Sequence, residues 1–221
     1  MKPSFHLIIA SVLGALTATA GETPAACCAV LPTEKPACCA PVPAAKPACC
    51  AGEKPSAPLS DKSLYQLEGE WINDAGQPTV LTSLRGRPVI LALFFASCEY
   101  ACPVLVHDMK RLLAALSDDV RPTIQRVLVT FDTTRDTPAA LRAFRERMEL
   151  DSSWKLLTST PADVQELAML VGVKYKQDAR GQFAHSNLIT LLNGEGEVIH
   201  QQVGLMGDVS GAAKVLNESG K

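Results

Sequence analysis

The chain has 221 residues, 47% of them hydrophobic, and a formal net charge of −2 from 21 basic and 23 acidic residues. That length suits one well-filled domain with extensions, and the near-neutral charge gives no basic surface for nucleic acid or anionic lipid. Eight cysteines lie in two very different settings, six in a Pro/Ala-rich region and two after an apolar run.

Residues 1–20 open with Lys2, run apolar from Leu7 to Leu16 and end Ala18-Thr19-Ala20. This is the pattern of a cleaved secretory signal, too short in its apolar part to span a bilayer comfortably. A lipoprotein site is disfavoured because Cys27 follows Thr23-Pro24-Ala25-Ala26 without the apolar residue such a site wants. No later apolar run reaches membrane length, so an exported, periplasmic protein without a membrane span after cleavage is expected. An oxidising compartment permits disulfides, but the cysteine placement is not that of a structural framework.

Residues 21–60 are dominated by Pro and Ala and carry too few large apolar residues to bury a core, so they are expected to form an extended tail. Within them Cys27-Cys28, Cys38-Cys39 and Cys49-Cys50 recur every eleven residues, the last two pairs inside the same hexapeptide, Lys-Pro-Ala-Cys-Cys-Ala. Adjacent cysteines close only a strained ring, so vicinal disulfides are a poor structural device. Two neighbouring thiolates instead suit a soft ion such as Cu(I), or part of a Zn(II) site. In an extended chain successive pairs lie roughly 34 Å apart, so they act separately unless the chain folds back around a metal. An incidental, intermolecularly bonded set of cysteines is the bland alternative.

The folded domain is expected over residues 61–221. Residues 63–72 read as an opening strand or hairpin arm, and Asn73-Asp74-Ala75-Gly76 as the turn before a second arm over residues 78–84. The apolar run of residues 89–95 reads as a buried strand emptying into Ser97-Cys98-Glu99-Tyr100-Ala101-Cys102-Pro103. An amphipathic helix over residues 104–116 should follow, with Cys102 as its N-cap and Pro103 at its first position. Thiols facing a helix N-terminus have lowered pKa values, and the thiolate is the form that attacks a disulfide or ligates a metal. Spacing alone leaves both chemistries open. His107, on that helix, reads as a surface or boundary residue.

A second buried strand over residues 124–131 ends in Asp132-Thr133-Thr134-Arg135-Asp136-Thr137-Pro138. Thr137 and Pro138 form an N-cap and first-turn pair for a helix over residues 139–148. A short strand at residues 154–157 and a helix over residues 161–171, ended by Gly172, come next. Residues 186–192 and 197–203 alternate around Asn193-Gly194-Glu195-Gly196 and read as a hairpin, and residues 209–217 as a last helix. This order predicts an α/β, thioredoxin-like mixed central sheet with helices on both faces, with functional groups gathered where strands end.

Four pieces in order resemble the Sco/SenC family of copper-binding thioredoxin-like proteins: residues 95–103, residues 131–138, Val171-Gly172-Val173-Lys174-Tyr175, and His185-Ser186. The resemblance covers residues 64–220 and implies copper ligation by Cys98, Cys102 and His185, with Asp132 and Asp136 as neighbours of the site. Two thiolates and an imidazole form a soft-to-borderline set that holds Cu(I) and tolerates Cu(II). Ala184-His185-Ser186 also lacks the proline that thioredoxins use in this loop to dock a substrate disulfide. Thr133 departs from the family, which usually has proline there, and the cysteine-pair tail is outside its pattern.

The resemblance implies a copper chaperone assisting assembly of a respiratory oxidase copper centre, with an oxidase subunit or another copper chaperone as partner. A thiol-disulfide oxidoreductase, with Cys98 attacking and Cys102 resolving, is the alternative enzyme activity. Copper storage or detoxification through Cys27, Cys28, Cys38, Cys39, Cys49 and Cys50 is the third reading.

Overall fold

The computed structural model describes residues 58–219, so the expected leader and the cysteine-pair tail lie outside the described residues. The core is a seven-stranded sheet of order β2-β1-β5-β4-β3-β8-β9. Its strands are β1 (Trp71–Asn73), β2 (Pro78–Thr79), β3 (Val89–Phe94), β4 (Gln125–Thr130), β5 (Trp154–Thr158), β8 (Leu188–Leu192) and β9 (Val198–Val203). A separate antiparallel pair, β6 (Tyr175–Gln177) and β7 (Phe183–His185), forms a second small sheet.

Strand β3 is buried along its whole length, as a strand covered on both faces must be. It runs parallel to β4 and antiparallel to β8, and β4 runs parallel to β5. The parallel connections are helices α1 (Ala101–Ala114) and α2 (Pro138–Arg147). Both step in the same direction along the sheet, so right-handed crossovers put both on one face. Phe94 meets Phe144 of α2 on that face, with ring centroids 4.5 Å apart. Alternation along β3 sends Val89 and Leu91 to the other face. There they share an apolar layer with Leu64, Tyr65 and Leu167 of α3 (Pro161–Leu170). A last helix, α4 (Ser210–Ser219), packs on α1 and β9. The mixed sheet covered on both faces is the expected thioredoxin-like architecture.

Local chemistry explains most of the expected boundaries. Thr137 caps α2 by accepting from the Ala140 N–H at 3.3 Å, with Pro138 at the first helical position. Thr160 does the same for α3, accepting from the Asp163 N–H at 3.2 Å. Gly172, at φ 73°, takes the left-handed conformation that ends α3.

Three expectations are corrected. The opening arm over residues 63–72 is a 3-10 turn, Leu64–Gln66, followed only by the short β1, because the Ser63 hydroxyl accepts from the Tyr65 N–H and curls the chain so that Leu64 and Tyr65 bury. The second arm shrinks to β2 and then coils as the 3-10 turn Leu81–Leu84, burying Leu81 and Leu84. Helix α1 starts earlier than expected, with Tyr100 at its N-cap, so Cys102 and Pro103 are its second and third residues. The first turn of a helix has no intrahelical partner for its N–H groups, so proline fits the third position as readily as the first.

Phe144 fills the space between α2 and the central strand and is fully buried. Phe144→Ala should lower the unfolding free energy by about 3–5 kcal/mol, the usual cost of emptying such a site. Urea denaturation checks this, and a loss below about 1 kcal/mol would show that α2 does not depend on that contact.

Candidate metal centre

The site is assembled at the end of β3. There the chain leaves the sheet at Phe94 and turns through Cys98, whose N–H bonds back to the Phe95 carbonyl at 3.2 Å. Helix α1 then begins, and its first intrahelical bond runs from the Val104 N–H to the Tyr100 carbonyl. The Cys102 N–H therefore has no helical partner and donates to Cys98 Sγ at 3.2 Å. Both thiols are free and buried, Cys102 completely.

His185, at the end of β7, completes the group: one ligand atom each from Cys98, Cys102 and His185 lie within 4.8 Å of one another. His185 Nδ1 is 3.1 Å from the Ser186 carbonyl oxygen. A carbonyl only accepts, so Nδ1 carries a proton there, and Nε2 is the nitrogen left to face the sulfurs. The imidazole packs edge-on against Phe95 at 5.8 Å and tilted against Phe131 at 5.2 Å.

The electrostatics divide the two thiols. The Cys102 S–H, His185 and the N–H groups of Cys102 and Tyr100 all hydrogen-bond toward Cys98 and lower its pKa to about 4, against the opposing effect of burial. Donating to that thiolate, with burial added, pushes the Cys102 thiol up. Its contact with the thiolate raises the pKa of His185. The metal-free dithiol is thus a thiolate at Cys98 and a neutral S–H at Cys102.

Two aspartates support the site from the loop after β4. Asp136 is buried, and its Oδ2 accepts from the Ala96 N–H at 2.7 Å and the Thr130 hydroxyl at 2.5 Å. Burial raises its pKa, opposed by those two hydrogen bonds. Arg147, at the end of α2, donates to the Ala96 carbonyl, so the residue two before Cys98 is held through both its N–H and its carbonyl. Asp132 is also buried and pairs with Arg135. His107 is exposed on α1 and does not join the group of Cys98, Cys102 and His185. An open cleft lined by Ala96, Ser97, Cys98, Glu99, Pro103, Arg147 and Met148 leads to Cys98.

Some contributors go beyond the sequence reading. The β6–β7 pair that carries His185 interrupts a stretch read only as a loop. Its docking surface is a cluster in which Phe131 stacks on Tyr175 at 4.8 Å and meets Phe183 at 5.0 Å, and Phe95 meets Phe183 at 5.3 Å. The chain has six Phe and three Tyr, and four of those nine stand here. Their scarcity, together with their position beside each motif, was the available signal.

The thioredoxin-like sheet with this cysteine loop places the protein in a class of fold, and comparison with known proteins defines the branch. The SCO1/SenC family model matches residues 59–217, and the chain belongs to that family. A Stutzerimonas stutzeri protein named for copper binding is 29% identical over 142 residues, spanning 62% of this chain and 68% of the relative. The SCO1 protein homolog of Bacillus subtilis is 25% identical over 157 residues, 66% of this chain and 78% of the relative. The same fold is found in Bradyrhizobium japonicum ScoI with copper bound, at a TM-score of 0.58 and 21% identity over 68% of this chain and 96% of that one. Among the described residues no helix is long and apolar enough to cross a membrane.

In the reduced, metal-free protein, Cys98 should be alkylated by iodoacetamide at a rate that is flat from pH 8 to about 5 and falls only as pH drops through about 4. The sign follows from a lowered thiol pKa, which keeps the reactive thiolate present above it. Rates followed by mass spectrometry test this, and a rate that climbs steadily to pH 8 or above would contradict it.

Proposed function

We propose that this protein is an exported, periplasmic copper chaperone that assists assembly of a respiratory oxidase copper centre, holding Cu(I) or Cu(II) through Cys98, Cys102 and His185. The carrying observation is the convergence of those two sulfurs and one imidazole within 4.8 Å. The donor set fits the ion: soft thiolates favour Cu(I), and the imidazole extends the site toward Cu(II). Cys98 is already a thiolate, so binding has to displace the Cys102 proton and the hydrogen bond that His185 makes to Cys98. Family membership and the copper-binding relative support the same reading. The open cleft beside Cys98 leaves an approach for a copper-accepting oxidase subunit or a second copper chaperone.

The unequal thiols favour a second reading, a thiol-disulfide oxidoreductase that keeps the cysteines of a copper acceptor reduced. Cys98 thiolate attacks one sulfur of the partner disulfide, expelling the other as a thiolate and forming a mixed disulfide. Cys102, losing its proton, then attacks the Cys98 sulfur, expels the bound partner sulfur as a second thiolate and leaves a Cys98–Cys102 disulfide here.

His185→Ala separates the two. Competition with a chromophoric Cu(I) chelator should show affinity falling by more than the 10- to 100-fold typical of losing a supporting contact. Disulfide exchange should largely persist. Unchanged Cu(I) affinity would remove the three-ligand reading.

The eleven-residue repeat of cysteine pairs supports an auxiliary role in copper capture, storage or detoxification for Cys27, Cys28, Cys38, Cys39, Cys49 and Cys50. Native mass spectrometry of the reduced full chain with Cu(I) should show more ions bound than in a variant with those six residues changed to Ser. Equal stoichiometry would make the repeat irrelevant to metal.

A further inference from the structure

His185 is a singular part of the site because the strand carrying it leads into β8 but is not paired with the main sheet. Strands β6 and β7 pair only with each other among the described strands. A two-stranded hairpin is marginal by itself, so its position depends on what it touches. At its base, the Ser186 N–H donates to the Lys174 carbonyl at 2.8 Å and the Lys174 N–H to the Ser186 hydroxyl at 3.1 Å. Along its length, Tyr175, Phe183 and His185 lie on Phe95 and Phe131. Each such ring contact adds only a modest amount beyond the area it buries.

The far end is held differently. Arg135 Nη2 donates to the Gly181 carbonyl at 2.5 Å, and its guanidinium sits 5.7 Å above the Phe183 ring. The same guanidinium donates through Nε to Asp132, a buried carboxylate in the loop that follows β4. One planar fork thereby joins a fixed point on the sheet to the turn of the hairpin. Gly181 is suited to this approach: its φ is +77°, and a Cβ there would lie 3.1 Å from Arg135 Nη1. A side chain at that turn would therefore meet both backbone strain and the guanidinium.

We propose that Arg135, held by Asp132, is a latch that positions His185: it seats the β6–β7 hairpin on the sheet and so makes the imidazole available as the third ligand beside the cysteines. This rests on the three-ligand reading and adds to it a division of labour between the two aspartates. Asp136 fixes the cysteine loop through the Ala96 N–H, whereas Asp132 acts on the histidine through Arg135.

The test is a double-mutant cycle in the reduced full chain with Cu(I) as the probe. Arg135→Ala should weaken Cu(I) binding by about 10- to 100-fold, the range seen when an outer contact of a ligand is removed. Placed on His185→Ala, it should add nothing, because the ligand it positions is already gone. Arg135→Lys should not restore affinity, since an ammonium cannot reach Asp132 and Gly181 with one fork. Gly181→Ala disturbs the latch from the hairpin side and should reproduce the loss. In the metal-free protein, amide hydrogen exchange over residues 175–185 should accelerate in Arg135→Ala while that of β3 and β4 stays unchanged. The exchange readout is independent of copper, so it decides the latch even if His185→Ala leaves Cu(I) binding intact and the three-ligand reading fails. Wild-type exchange over the hairpin, or an affinity loss that adds to that of His185→Ala, would overturn the proposal.

Discussion

Strand β3 bonds to a parallel neighbour on one side, β4, and an antiparallel one on the other, β8, and this decides which chain ends meet. A parallel pair finishes at the same edge of the sheet, so the cysteine loop after β3 and the aspartate loop after β4 emerge together. An antiparallel neighbour begins at that edge, so the residues leading into β8, among them His185, arrive at the same place. The pairing of Phe94 with Thr130 and of Ala92 with Ile189 sets this alignment to single-residue accuracy. A slip in register would invert every buried side chain of β3, which is apolar on both faces, and the packing of Phe94 against Phe144 would be lost with it.

The chemistry at that edge depends on peptide groups that the secondary structure leaves unpaired. The Cys102 N–H is free because it lies in the first turn of α1, and it is used to hold the Cys98 sulfur. The Ala96 N–H lies past the end of β3 and is taken by Asp136, while Arg147 takes the carbonyl. Charge at Cys98 is thus stabilised by neighbours already in place rather than by water. That same property serves an attacking thiolate and a metal ligand. The imidazole beside the sulfurs supports the proposed metal reading, because disulfide exchange has no need of a third donor.

The fold was readable where local and global demands agree. Val89, Ile90 and Leu91 form a continuous apolar run that makes sense only as a strand covered on both faces. Thr137-Pro138 and Thr160-Pro161 begin helices wherever they occur with a periodic apolar face behind them. The opening residues 63–72 misled because alternation over a short stretch is satisfied equally by a strand and by a turn that buries Leu64 and Tyr65. Pro103 misled by two positions, since the whole first turn tolerates proline. The β6–β7 hairpin was hidden for a related reason: its strands are three residues each and half exposed, too short to show a period.

By itself the sequence determined the donor types, the thiol pair at a strand-to-helix junction, the aspartates four residues apart and the family to which they belong. These are matters of residue identity and short spacing, which a chain carries openly. Only the tertiary structure decided that Cys98 is the thiolate, that Asp136 serves the cysteine loop while Asp132 turns away toward Arg135, and that a two-stranded hairpin brings the imidazole in. Each of those depends on groups far apart in the chain meeting in a water-poor pocket, where a single hydrogen bond or ring contact outweighs any local preference.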